Sequence, residues 1–384
     1  TGINDETGQR FATFDYADDG RAVSTEHAGG VEKVTIAYEA DQATVIDPRG
    51  NTHGYTFATQ FDLVKPTAMT QNCCGGANYA YDTRGFLASR TDFNGIVTTY
   101  THNDRGLETS RTEAKGTAQE RTITTEWHAT YHLPTKITEP GRVTTLTYDA
   151  KGNLTKKNVT AGTVTRSWAY TYNTKGQPLT INGPRTDVND TTSFAYGTDG
   201  NLSKVTNALG RITQITGYNA NGLPLRVVDP NGLVTTFTYN ALNHLETQTV
   251  GAETTRYDYT AWGDVSLITL PDGSFVAYDY DAAHRLTGIR DIRNNRILYT
   301  LDEAGNRVKE EVFDASGELA RTQSRVYDSL NQVVQVIGAQ GQTTTLTRDP
   351  NGNVTAVNDP LGNPTANDYD ALNRLVKQTD PLGG

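Results

Sequence analysis

The chain has 384 residues, only 35 % of them apolar, and carries a net charge of −10. With no Lys/Arg cluster and no apolar run of about 18 residues, it has neither the footprint of a nucleic-acid binder nor a helical membrane span. Its 20 Tyr, 10 Phe and 3 Trp exclude a disordered chain, because disordered sequences are poor in aromatics.

Residues 1–15 read as an opening strand of a repeat array. From Tyr16 onward one frame recurs: an aromatic residue, usually followed by Asp or Asn, with Gly, Asn or His four places after it. Clear copies start at Tyr16, Tyr81, Tyr148, Tyr172, Tyr196, Tyr218, Tyr239, Tyr259, Tyr280, Tyr327 and Tyr369. Degenerate copies start at His102, Trp127, Leu301 and Arg348, and weaker ones lie near Tyr38 and Phe57. The spacing is about 21 residues, so residues 16–384 read as about 17 units.

Each unit carries two turn signals. The first follows the aromatic directly, as in Asp82 to Gly85, Asp149 to Gly152 and Asp302 to Gly305. Aspartate in the first place can accept the amide two residues on, and the fourth place needs φ > 0. Glycine reaches that region freely, and Asn, Asp and His more readily than other residues. Asn243, His284, Asn331 and Asn373 therefore read as occupants of a backbone slot, with no chemistry required of their side chains. The second signal comes half a period later, as in Asp47-Pro48-Arg49-Gly50 and Asp359-Pro360-Leu361-Gly362.

Between the turns, Thr and aromatic residues alternate. Phe237 and Tyr239 fall on one face, Thr236 and Thr238 on the other, which is the period of a half-buried strand. Each unit is thus a hairpin. A lone hairpin cannot bury its apolar face, so neighbours must pair into one long antiparallel sheet that twists and curls. The tyrosine row reads as cross-strand packing rather than a ligand platform.

Units such as "YDTRGFLASRTDFNGIVTTY" (81–100) and "YDALNRLVKQTDPLGG" (369–384) resemble the Rhs/YD repeat of bacterial Rhs proteins, toxin-complex shell components, wall-associated proteins and teneurins. The resemblance implies an all-β fold: tandem hairpins in one long spiralling antiparallel sheet, part of a hollow shell. In bacterial members that shell encloses a C-terminal toxin, released by self-cleavage, for competition between cells or attack on a host. The chain begins at Thr1 without a signal-peptide run and stops in a turn at Asp380 to Gly383, so the expectation is a shell segment. Its implied partners are the remainder of the shell and the enclosed toxin, with glycans or a secretion-system carrier as further candidates. End-to-end self-association through terminal strands is expected too. The implied location is secreted or at the cell surface.

The candidate chemistry is thin. Family self-cleavage uses aspartates near Asp-Pro-x-Gly, and Asp359 and Asp380 open such motifs. Asp47, Asp229 and Asp349 open the same frame at the repeat period, which marks a turn. Cys73 and Cys74 have no Cys or His at ligand spacing, and read as packing in an irregular turn. His128 and His132 are four apart, and on a strand this spacing would separate them by about 13 Å, too far for one metal ion. The expectation is no catalytic, cofactor or metal residue, and no enzyme activity. An adhesion module that binds carbohydrate or protein is the alternative. A polysaccharide-acting enzyme would need a clustered carboxylate pair that the sequence does not reveal.

Overall fold

The computed structural model describes residues 1–71 and 75–384; the Cys73-Cys74 pair lies outside them. Short runs of Thr, Val, Tyr and Phe favour strands because β-branched and aromatic side chains pack well on a pleated surface. Turn signals every ten or so residues leave no room for a helix of ordinary length. The outcome is one sheet of 35 strands, from β1 (Gly2–Asn4) to β35 (Leu375–Thr379), with a single 3-10 turn at Ala28–Gly30. Residues 1–15 hold β1, a turn and most of the second strand, Arg10–Tyr16. Each strand pairs antiparallel with its neighbours in sequence. β1 and β35 each have one partner, so the sheet is not closed.

The turn at Asp149 to Gly152 shows how each hairpin is set. The Gly152 amide donates to the Asp149 carbonyl at 3.0 Å, and the Asp149 amide to the Asn153 carbonyl at 2.9 Å. This is a type I turn with a glycine bulge: Gly152 sits at φ 84°, and the ladder slips by one residue between Thr147 and Tyr148. The Asp149 carboxylate closes the turn from within. Its Oδ1 accepts the amides of Lys151 at 2.8 Å and Asn153 at 2.9 Å, and its Oδ2 accepts the Asn153 side-chain amide at 2.8 Å. The expected bond two residues on is thus joined by one four residues on. Asp82 and Asp302 repeat the double cap on this edge, and Asp47, Asp229 and Asp359 on the opposite edge.

The left-handed slot is filled as expected, with φ 65° at Asn243, 61° at His284, 59° at Asn331 and 57° at Asn373. Their side chains, however, are also engaged. Asn243 Oδ1 accepts from Asn221 at 2.7 Å and Asn373 Oδ1 from Asn353 at 2.7 Å, while His284 stacks between Phe11 and Trp262 at ring distances of 4.6 and 4.9 Å. The weak copy near Phe57 is displaced. Its strand runs from Thr52 to Gln60, and the turn falls on Phe61 and Asp62, both at positive φ. Two consecutive left-handed residues make the tight turn that matches strand twist without a glycine.

The two faces differ throughout. In the strand Val164–Tyr172, Trp168, Tyr170 and Tyr172 are half-buried, whereas Ala169 and Thr171 are exposed. Phe237 and Tyr239 contrast in the same way with Thr236 and Thr238. On the exposed face threonine hydroxyls pair across strands, Thr171 with Thr180 at 2.6 Å and Thr238 with Thr247 at 2.8 Å. On the other face the repeat tyrosine does more than pack. The hydroxyl of Tyr148 donates to the Pro134 carbonyl at 2.8 Å, that of Tyr172 to Leu154 at 2.8 Å and that of Tyr239 to Pro224 at 2.9 Å. Each acceptor is the first residue of the returning strand in the preceding hairpin, so each of these tyrosines ties its unit to the one before.

Among the described residues no second layer covers either face. The accessible surface is 22102 Å², where a compact monomer of 41.8 kDa would expose about 15,000 Å². Apart from Ile123, the buried apolar residues are alanines, and none of the described residues is a large side chain shut away from solvent.

Four outcomes are expected. Gly152→Val should cost about 1–2 kcal/mol, because a β-branched residue resists φ > 0; a new Cβ would meet nothing closer than Leu133 at 3.5 Å, so the cost is strain, not a clash. Asn243→Gly should stay within about 0.5 kcal/mol, relief of the left-handed backbone offsetting the lost bond to Asn221; equal costs in chemical denaturation would contradict the turn assignment. Tyr239→Phe should cost about 1 kcal/mol, since it strips the Pro224 carbonyl of its donor, and an unchanged midpoint would remove the tyrosine tie.

The fourth concerns acid. The side-chain amides of Asn153, Asn295 and Asn363, then their backbone amides, help hold the carboxyls of Asp149, Asp291 and Asp359 below the usual carboxylate range. Carboxyls more acidic folded than unfolded stabilise the fold above the unfolded value, about 4, and cease to do so as pH falls through the lowered one. The melting temperature should therefore be level near neutrality and fall below about pH 4; a level profile through that range would rule out the carboxylate caps.

Candidate functional site: the concave wall and its seam

Two of the concavities along the wall open on the tyrosine face. One, of about 400 Å³, is apolar and lined by Tyr38, Tyr55, Phe57, Met69 and Tyr79. The other, of about 700 Å³, is polar and lined by Arg90, Tyr100, Arg111, Glu113, Arg121 and Arg374. Ladder register joins them across one face: Tyr55 lies opposite Met69, Met69 opposite Ala77, Tyr79 opposite Arg90 and Tyr100 opposite Arg111. Side chains on the inside of a curved sheet crowd and shield one another, while those outside splay. The half-burial of the tyrosine face and its two concavities place it on the inside of the curve.

In the polar concavity Glu113 holds two arginines, Arg111 at 2.8 Å and Arg121 at 2.6 Å. Arg374 belongs to the last hairpin and pairs with Asp370 at 2.6 Å. Residues 90–121 and the last hairpin thus share one cavity, because the sheet winds past a full circle and meets itself.

The seam is made by turn tips. Turns that follow a repeat aromatic lie along one edge of the ribbon, and the half-period turns along the other. The far-edge turns of the first coil sit on the aromatic-edge turns of the second. Asn94 Nδ2 donates to Asp349 Oδ2 at 2.9 Å, and Asn351 Nδ2 donates back to Asp92 Oδ2 at 2.9 Å. Arg49 donates to the carbonyls of Asp328 at 2.6 Å and Tyr327 at 2.9 Å, and lies 3.6 Å from the Asp302 carboxylate. The Glu32 amide donates to the Glu303 carbonyl at 2.7 Å. Near the start, Trp262, His284, Phe11 and His27 form one stack of rings across the seam, with Asp5 at 3.7 Å from His284.

These contacts measure the coil. The turn after β1 meets the turn after the twenty-sixth strand (Phe275–Tyr280), and the turn after the ninth (Leu87–Thr91) meets the turn after the thirty-second (Thr343–Arg348), so one coil takes 23 to 25 strands. At about 4.8 Å per strand the wall is roughly 110–120 Å around and roughly 35–38 Å across.

The residues singled out in the sequence lie elsewhere in function. Asp359 spends its carboxylate on the amides of Leu361 and Asn363, and Asp380 on those of Leu382 and Gly384. Asp47, Asp229 and Asp349 cap their own turns likewise. His128 and His132 both fall in the connection between strands ending at Trp127 and beginning at Pro134, so strand spacing does not apply to them. His128 Nδ1 accepts the amides of Thr130 and Tyr131, both at 3.1 Å, taking the part of a capping aspartate. Among the described residues no cluster of three His, Cys, Asp or Glu suits a metal ion. Arg49, Asn94 and Asn351 were not foreseen. The available signal was the shared Asp-x-Asn-Gly of turns 92–95 and 349–352, which local reading treats as two unrelated turns.

The comparisons with known proteins agree with this architecture. The toxin protein Tse5 of Pseudomonas aeruginosa is 25 % identical over 304 residues, covering 66 % of this chain and 22 % of that protein. The crystal structure of TcdB2-TccC3-TEV superposes with a TM-score of 0.72 at 14 % identity, covering 95 % of this chain and 22 % of that one. The pore form of a Photorhabdus luminescens Tc holotoxin gives 0.59 at 14 % identity, covering 96 % and 25 %. The chain therefore spans a quarter or less of the length of each, and the likeness to the solved structures is one of fold. The RHS Repeat family matches residues 81–118, 130–164, 218–256, 259–296, 327–364 and 349–384. These segments make up more than half of the sequence, and the chain belongs to the RHS-repeat family.

Proposed function

We propose that this chain is a stretch of the wall of an RHS-repeat shell, and that the wall encloses a polypeptide cargo, the toxin segment of the protein to which it belongs. The observation that carries this reading is the single-layer sheet whose apolar face turns inward and is covered by none of the described residues, leaving 22102 Å² accessible. An apolar concave face and a hydroxyl-rich convex one suit a container, since the outside is wetted and the inside accepts protein. The similarity to Tse5 supports a toxin as the cargo and export from a bacterial cell as the setting. The chain itself does no chemistry in this reading, because the aspartates that suggest cleavage are committed to turns. Its partners are the rest of the shell and the cargo.

Protease protection tests the reading. In the parent RHS protein, the segment after the shell should resist a protease under native conditions and become sensitive when the seam is weakened by Arg49→Ala together with Asn94→Ala. Equal sensitivity of that segment, in or out of its shell, would overturn the container reading.

A further inference from the structure

The apolar hollow of the first coil has arginines on two sides. Beside it, Arg90 stands opposite Tyr79 and Thr98 in the ladder. Arg90 is exposed, and among the described residues its side chain makes no hydrogen bond or ion pair. Farther along the same face Arg111 and Arg121 share Glu113, and Arg111 also lies 3.4 Å from Glu108.

Above it stands a hairpin of the second coil, formed by the strands Arg307–Phe313 and Leu319–Tyr327. Turn 47–50 joins two strands that line the hollow, Gln42–Ile46 and Thr52–Gln60, and it meets this hairpin on both flanks. Arg49 donates to the Tyr327 and Asp328 carbonyls at the end of the hairpin and lies 3.6 Å from the Asp302 carboxylate before its start. Arg321 and Arg325 fall on the tyrosine face by alternation from Tyr327, and Arg307 lies over the Tyr299 ring at 3.5 Å. Glu310 stands opposite Tyr299, pairs with Arg321 and lies 3.8 Å from Arg307. Among the described residues Arg325 has no carboxylate partner. Its Nη2 donates to Gln323 Oε1 at 2.7 Å, and its Nη1 is buried without a hydrogen bond.

On these two flanks six arginines face three glutamates, in a chain whose net charge is −10. Many of its aspartates are spent elsewhere, closing turns along the edges of the ribbon. We propose that the hollow and its arginines form a cradle for an acidic amphipathic segment of the enclosed polypeptide, with apolar side chains in the hollow and carboxylates on Arg90 and Arg325. This rests on the container reading and specifies which kind of cargo segment meets this part of the wall. A guanidinium presents a planar fork of N–H donors that matches the two oxygens of a carboxylate, and such charge-assisted bonds are about twice as strong as neutral ones. Beside an apolar wall the attraction is screened less than in open water. A basic segment would set its cations against Arg90 and Arg325, and an uncharged one would fill the hollow while leaving both guanidiniums unpaired.

The test is photocross-linking in the parent RHS protein, with p-benzoylphenylalanine in place of Tyr55 and the linked peptides identified by mass spectrometry. The links should fall on a cargo segment in which Asp and Glu flank apolar residues and outnumber Lys and Arg. Arg90→Glu together with Arg325→Glu should lower the yield of that link several-fold, while Arg90→Lys together with Arg325→Lys, which keeps the charge, should retain most of it. A linked cargo segment that is neutral or basic, or a yield that the glutamate pair leaves unchanged or the lysine pair lowers equally, would overturn the cradle and leave the container standing. Absence of any cargo link beside intact protease protection would also overturn the cradle alone. Lost protection in the unaltered protein is instead the failure of the container reading, and the cradle falls with it.

Discussion

The structure depends on a carboxylate or amide oxygen that accepts two backbone amides inside most of its turns. By taking the amides two and four residues on, Asp149 and its counterparts set a type I turn and hold the next residue but two in the left-handed region; on the aromatic edge the ladder beside the turn also carries a one-residue bulge. A bulge increases local twist and bends the strand. Repeated at every other turn, it gives the sheet its curvature. The same cap aims the third turn residue outward, which is why Asn94, Asn351 and Arg49 can reach the next coil.

A sheet in which each strand pairs with its sequence neighbours is locally determined. Its ladder contacts join adjacent hairpins, and the tyrosine hydroxyls repeat that neighbour-to-neighbour tie. In a one-dimensional array of this kind, stability accumulates unit by unit. Nothing in the ladder brings residue 49 near residue 328. Coil-on-coil contact is a separate level of organisation, built from polar turn tips and one stack of rings instead of strand pairing. That separation allows the seam to be weakened while the hairpins remain intact.

Most of the strand-and-turn plan was legible. The left-handed residues Asn243, His284, Asn331 and Asn373 were identified by residue type and frame alone, and the degenerate copies at Leu301 and Arg348 proved to carry the same turns. The turn at Phe61 and Asp62 was missed because Phe is not a usual left-handed residue; pairing to the neighbouring strand up to Gln60 overrides its preference. The tyrosine was rightly read as structural, but its hydroxyl bond to a carbonyl one hairpin back requires knowing which unit lies beside which. The two histidines near Trp127 were assigned a strand geometry that an elongated connection removes.

The sequence by itself determined the repeat, the hairpins, their turns and the apolar and polar faces. Each of these follows from residues within about one period, through backbone sterics and alternation. Only the tertiary structure decided how many strands complete a coil and which turns meet across the seam. Small rotations between adjacent strands add up over 23 to 25 of them, and no single unit encodes that sum. Residues such as Asn94 and Asp349, 255 positions apart, become partners because accumulated twist brings them to the same place on the wall.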